Sequence, residues 1–227
     1  MLRRLATPMI ALAASVSLAG CNLLPEGRAS SAPTTRTTVV AAAGPKARQC
    51  LAELGGTGAR FAPQPDKYYG AGCSTLNSVT VERLRGDADG FELANMGPVT
   101  CPAANALAGW ARYGVDRAAR QILGSRLQRI ETMGSYACRN VAGSSKRSAH
   151  ARAEAIDVAA FVLADGRRVS VLGEWKGGNS KERQFLRTVQ QSACKRFGTV
   201  LGPNSDRFHR DHFHFDTARY RSGSYCR

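Results

Sequence analysis

The sequence predicts an α+β domain in which a small antiparallel sheet is flanked by helices. Two long segments carry apolar residues at three- and four-residue spacing. Several short apolar runs read as strands, and one pair of them is joined by Asp165-Gly166, a strong hairpin turn signal. The order of helices and antiparallel strands fits α+β. With 227 residues, 43% of them hydrophobic, the chain has material for one cored domain, and full disorder is excluded.

The N-terminus reads as a targeting segment. Arg3 and Arg4 precede an apolar run, Met9 to Leu18, that is too short for a comfortable membrane span. The run ends in Leu18-Ala19-Gly20-Cys21, which resembles a bacterial lipobox with Cys21 as the lipidated residue. An ordinary secretory signal with a chance cysteine is the alternative. Asn22, by resemblance to Gram-negative lipoproteins, favours sorting to the outer membrane. Residues 1–20 are thus expected to be a signal peptide. Residues 21–46, rich in Ala, Ser, Thr and Pro, are expected to be a flexible tether. The folded domain is expected over residues 47–227.

From Cys50 to about residue 100 the chain is broken by Gly and Pro, with one strand expected at Val79–Leu84. Pro102 to Gly124 is helical in pattern, Pro102 suiting a first turn. Leu127–Glu131, Ala155–Leu163 and Arg168–Leu172 read as strands. Asn179 to Phe197 reads as a second helix, with cap chemistry in Asn179-Ser180-Lys181-Glu182. His209–Asp216 closes the chain as an alternating strand.

The formal net charge is +15, and removing residues 1–20 removes two arginines and no acid. For an exported chain the fitting partners are the anionic cell wall and lipopolysaccharide, with nucleic acid not expected; a merely solvated basic face is the alternative. Apart from Cys21, six cysteines remain: Cys50, Cys73, Cys101, Cys138, Cys194 and Cys226. An even count in an oxidising compartment reads as three disulfides, with the pairing left open. No CxxC spacing occurs, so thiolate zinc sites are disfavoured.

The four histidines fall in two clusters: His150, and His209 with His212 and His214. In the strand Ala155–Leu163, alternation puts Asp157 with Ala159 and Phe161 on one face, away from the aliphatic positions. His150, on the loop leading in, can fold back beside Asp157. In the last strand His212 and His214 share a face, roughly 7 Å apart, while Phe213 and Phe215 point to the core. Taken singly, each of these residues fits a structural or surface role. Jointly, two imidazoles and a carboxylate with one open position make a catalytic zinc site. A further imidazole near neutral pKa suits proton transfer.

These residues also carry a resemblance. Ser148-x-His150-x-x-Ala153-x-Ala155-x-Asp157 resembles the SxHxxGxAxD motif of the superfamily of lysostaphin, D-Ala-D-Ala carboxypeptidases and hedgehog domains (LAS), with Ala153 where the pattern has Gly. His209-x-x-His212-x-His214 is similar to the closing motif of penicillin-insensitive murein endopeptidases. From about Cys50 onward, with Ser135-Tyr136-x-Cys138-Arg139 and Asp211-His212-Phe213-His214-Phe215-Asp216, the chain is most similar to the bacterial extensin-like C-terminal domain family. The resemblance implies a LAS-like fold and zinc held by His150, Asp157 and His214. It implies catalytic roles for His212 in proton transfer, Arg139 at the oxyanion and His209 as an auxiliary. Asp211 stands where carboxypeptidase-type relatives have a Glu base, which favours the histidine-type site. Glu154 and Glu174 are weaker candidate bases, and Glu174-Trp175 is a candidate cleft lining. The implied activity is hydrolysis of peptidoglycan peptides by a periplasmic lipoprotein anchored in the outer membrane. The alternatives are a wall-binding lipoprotein that keeps the zinc fold without turnover, an anionic-polymer binder acting by charge alone and, more weakly, an extracellular nuclease, since His and Asp with basic charge also serve phosphodiesters.

Overall fold

The computed structural model of the protein describes residues 44–218 and 223–227. The expected signal peptide, Cys21 and all but the last residues of the expected tether lie outside the described residues. Helix α1 (Pro45–Gly56) begins inside the stretch expected to be tether. Pro45 explains the start, since a first helical turn does not need its missing N–H.

Where the sequence predicts one strand before residue 100, six form. They are β1 (Arg60–Pro63), β2 (Lys67–Gly70), β3 (Cys73–Thr75), β4 (Ser78–Arg85), β5 (Gly90–Ala94) and β6 (Val99–Thr100). Runs this short carry little local signal, because pairing and packing create them. Helix α2 (Cys101–Trp110) continues through π-helical segments Ala111–Asp116 and Ala119–Leu123 and ends at left-handed Gly124. Then come β7 (Leu127–Gly134), a 3-10 turn (Ala149–Arg152), β8 (Ala155–Leu163) and β9 (Arg168–Ser170). Strand β9 is shorter than expected because the Ser170 hydroxyl accepts the Gly173 N–H and opens a short helix, α3 (Val171–Glu174). Helix α4 (Ser180–Ala193) starts with the expected capping box: Asn179 accepts from Lys181 and Glu182 N–H, and Glu182 accepts from the Asn179 N–H. It stops short of Phe197. The chain closes with β10 (Thr199–Leu201), a 3-10 turn (Arg207–His209), β11 (Phe213–Asp216) and β12 (Tyr225–Cys226). His209 and His212 therefore precede β11 rather than lying in it.

The mixed α and β content agrees with the expected class, but the sheet is not small. Ten strands join in the order β1-β4-β5-β7-β8-β11-β10-β12, with β6 on β4 and β9 on β8. Nor is it wholly antiparallel, since β5–β7 and β10–β12 run parallel. The hairpin β2–β3 stands apart as a two-stranded sheet.

The core lies between the helices and one face of the large sheet. Trp110 is fully buried, packs edge-on against Phe215, meets Phe161, and donates its indole N–H to the Val189 carbonyl at 2.8 Å. Ile156, Val158, Phe161, Phe213 and Phe215 belong to this core. Phe161 thus sits opposite Asp157, not beside it as strict alternation predicts. The cause is a bulge: Glu131 pairs with Ala160 and Thr132 with Val158, so Ala159 is the extra residue and the side-chain phase switches there. The polar face at the strand's start and the aromatic anchor near its end coexist for this reason. Three disulfides form among the six cysteines: Cys50–Cys101, Cys73–Cys138 and Cys194–Cys226. Among the described residues, no helix is long and apolar enough to cross a membrane.

Candidate metal centre

The site is built on β8, β11 and the 3-10 turn. In the antiparallel pairing of β8 with β11, His214 lies directly opposite Asp157. Their neighbours Val158, Ile156, Phe213 and Phe215 point into the core, so Asp157 and His214 share the opposite face. The third group comes from the turn. Ser148 opens it by accepting the His150 N–H, and Ala153 closes it with φ +54°. That left-handed residue turns the chain into β8, and its N–H donates to the His150 carbonyl at 3.1 Å. The Gly of the motif thus stands where φ is positive, which Gly adopts without strain. Ala153 adopts the same conformation with its methyl fully buried.

His150, Asp157 and His214 converge and are all buried. His150 Nε2 lies 3.1 Å from His214 Nδ1 and 3.2 Å from Asp157 Oδ2, and His214 Nδ1 lies 3.0 Å from Asp157 Oδ1. A tetrahedral zinc with ligands about 2.0–2.1 Å away would separate its ligand atoms by roughly 3.3 Å, close to these edges.

The surrounding partners fix the tautomers. His150 Nδ1–H donates to the Ser135 carbonyl at 2.5 Å. His214 Nε2–H donates to Asp216 Oδ2 at 3.1 Å. With those protons placed, the inward nitrogens of both neutral rings carry lone pairs, and both face the Asp157 carboxylate. Three lone-pair atoms this close repel unless a positive charge sits among them. In the metal-free protein that charge is a proton on His214. Burial opposes it, but hydrogen bonds to Asp157 and Asp216 prevail, and the imidazole is raised to about 9. Burial likewise disfavours ionised Asp157, yet the His150 and His214 imidazoles beside it hold its carboxyl far below the usual range. A divalent cation would replace the proton and satisfy all three groups. The donor set, two imidazoles and one carboxylate, with each outer N–H anchored, fits zinc.

The remaining expected residues flank this triangle. His212 Nε2 lies 3.6 Å from Asp157 Oδ1, while its Nδ1–H donates to Asp211 Oδ1 at 2.8 Å. Asp211 therefore orients a histidine in the place where relatives were expected to have a base. His209 donates from Nδ1 to Asp206 at 2.8 Å, and its ring centre is 5.2 Å from that of His212 and 5.7 Å from that of His214. Burial lowers its pKa. Arg139 Nη2 lies 3.8 Å from Asp157 Oδ2, with about half of its side chain exposed, 49%.

Glu154 instead pairs with Arg152, and Glu174 accepts from the Ser170 N–H and hydroxyl. Trp175 is buried against Phe213. Two further groups, Asp216 and Ser135, complete the site. Asp216 was discoverable, since it follows His214 by two residues and so shares its face. Ser135 contributes a backbone carbonyl, which leaves no signature in residue type.

Residues 48–227 match the model of the family described as Extensin-like protein C-terminus. No curated protein and no solved structure matches the chain.

Proposed function

We propose that this chain, which belongs to the extensin-like protein C-terminus family over residues 48–227, is a zinc-dependent peptidase acting on peptidoglycan stem-peptide or cross-link amide bonds. The observation that carries the reading is the convergence of His150 Nε2, His214 Nδ1 and the Asp157 carboxylate, with three flanking groups suited to amide hydrolysis. On this reading the domain is LAS-like and akin to murein endopeptidases. The leader and Cys21 would place it in the periplasm, tethered to the outer membrane.

His150, Asp157 and His214 would hold the metal. Zinc bound by three protein groups polarises a carbonyl and brings the pKa of water toward neutrality. His212 is set to move the proton. Asp211 holds its Nδ1–H, so Nε2 faces the centre free to accept a proton from attacking water and return it to the leaving amine. His209, half-buried and held by Asp206, supports the same wall. Arg139 reaches the edge of the centre from an exposed position, where a guanidinium steadies a developing oxyanion or a substrate carboxylate. Net charge of +15 favours docking on an acidic wall.

The test is mass spectrometry of purified muropeptides after digestion. Zinc-loaded protein should cleave them, and chelator-stripped protein and His214→Ala should not. Equal cleavage by stripped and loaded protein would sink the proposal.

A further inference from the structure

The hairpin β2–β3 forms a sheet of its own, yet it lies against the segment that serves the candidate centre. That segment, residues 135–139, presents alternate residues to two neighbours. Toward the turn that bears His150 it offers backbone groups. The Ser135 carbonyl accepts the His150 Nδ1–H at 2.5 Å, the Ala137 N–H donates to the His150 carbonyl at 3.1 Å, and the Arg139 carbonyl accepts the Ser148 N–H at 3.2 Å. Toward the hairpin it offers side chains. The Tyr136 ring packs on Tyr69 with centroids 5.0 Å apart, and Cys138 is bonded to Cys73. The Arg139 side chain reaches Asp157 Oδ2 at 3.8 Å. Beyond it, residues 140–146 are all exposed, so that stretch brings no buried packing to the segment's far end. Cys73 is 1% exposed and supplies the fixed point instead. Arg147 adds a second tie, donating to the Ala71 carbonyl at 2.6 Å and to Asn140 Oδ1 at 2.8 Å.

We propose that Cys73 and Cys138 are positioning residues of the metal centre: their bridge braces residues 135–139 against the hairpin and so sets the direction of the His150 ring. This deepens the peptidase reading and rests on its premise that the centre holds zinc. A hydrogen bond to the outer nitrogen of a ligating imidazole orients the ring only as well as its acceptor is itself fixed. For His214 the acceptor is Asp216, carried on the same paired strand. For His150 it is the Ser135 carbonyl, at the point where β7 has ended and the chain runs out toward the exposed loop. The bridge at Cys138 sits between the two residues, Ala137 and Arg139, whose backbone groups hold the turn. Loss of the bridge leaves Asp157 and His214 facing each other across β8 and β11 and loosens His150 alone. The effect is therefore on metal affinity, beyond any loss of global stability.

The test measures zinc affinity of the full chain by chelator competition, together with the visible spectrum after loading with cobalt. Cys73→Ala/Cys138→Ala should bind zinc about 10- to 100-fold more weakly than wild type, the usual cost of losing an outer partner of a metal ligand. Its cobalt spectrum should shift, because one imidazole is no longer held in a single direction. The control is Cys194→Ser/Cys226→Ser, which removes a bridge that does not touch residues 135–139 and should lower stability while zinc affinity stays at the wild-type value. Should the double Ala variant not fold, Arg147→Ala loosens the same brace more gently and should weaken zinc binding by a smaller factor. Wild-type affinity in the double Ala variant overturns the proposal, as does an equal loss in both bridge variants, or unchanged affinity in Arg147→Ala where only that variant folds. Muropeptide cleavage plays no part in the readout. Zinc binding that depends on the bridge in a protein that cleaves nothing would sink the peptidase reading and leave the brace standing, and cleavage with affinity indifferent to the bridge would do the reverse.

Discussion

Three side chains carry the proposed chemistry, and each owes its direction to a neighbour. Asp157 and His214 face each other because the β8–β11 register pairs them, and His150 joins them because Ser135 fixes its ring. The triad was legible as residue types and spacings. Its outer anchors were not, since Ser135 acts through a backbone carbonyl, and Asp216 reads as an ordinary strand residue until its face is known. Removing His212 should leave metal binding intact and lower the hydrolysis rate by about 10²–10⁴-fold, measured by muropeptide turnover at equal zinc content. The metal-free protein should also show a distinctive pH response. His214 is raised from an ordinary 6.5 to about 9, so its contribution to stability is fully present below pH 6.5 and is lost as pH rises through 9. Asp157 is lowered, so its contribution holds above its ordinary value of 3.8 and fades only as the pH falls well below that. Chemical denaturation of chelated protein across pH 6 to 10 checks the upper limb, and stability that rises over that range would contradict the assignment.

At the scale of elements, the sequence was most readable where local chemistry decides the outcome. The Asn179 capping box, the strand Ala155–Leu163 and the helix ending at Gly124 all form as their residues dictate. It was least readable between Cys50 and Thr100, where short strands exist only through pairing with distant partners. The phase switch at Ala159 was hidden for a related reason, because a bulge is set by the facing strand and not by the bulged residue. The 3-10 turn bearing His150 carries backbone strain at its end. Ala153 holds φ +54°, a region that costs an L-residue about 1–2 kcal/mol, offset in part by its buried methyl. Ala153→Gly should therefore stabilise the protein by up to about 1 kcal/mol, read from denaturation midpoints, with metal content unchanged. A clear loss of stability would show that the methyl outweighs the strain.

For the molecule as a whole, the division of labour is between the two sides of one large sheet. Helices α2 and α4 and the aromatic core occupy one side, and the polar centre sits on the other, so a packed scaffold holds the site. The even cysteine count was legible as three bridges, but only folding selects among the pairings, because partners such as Cys73 and Cys138 are 65 residues apart. The Cys194–Cys226 bridge joins the end of α4 to β12. Replacing both cysteines by Ser should cost about 3 kcal/mol, seen in denaturant unfolding, while the candidate metal centre on β8 and β11 keeps its donor set. The most direct measurement of the account is the metal-to-protein ratio after zinc loading and dialysis, for wild type and for His150→Ala, Asp157→Ala, His214→Ala and His212→Ala. The account predicts one zinc per wild-type chain, the same in His212→Ala, and a ratio near zero in the three others. Retention of a full equivalent after loss of His214 would contradict it.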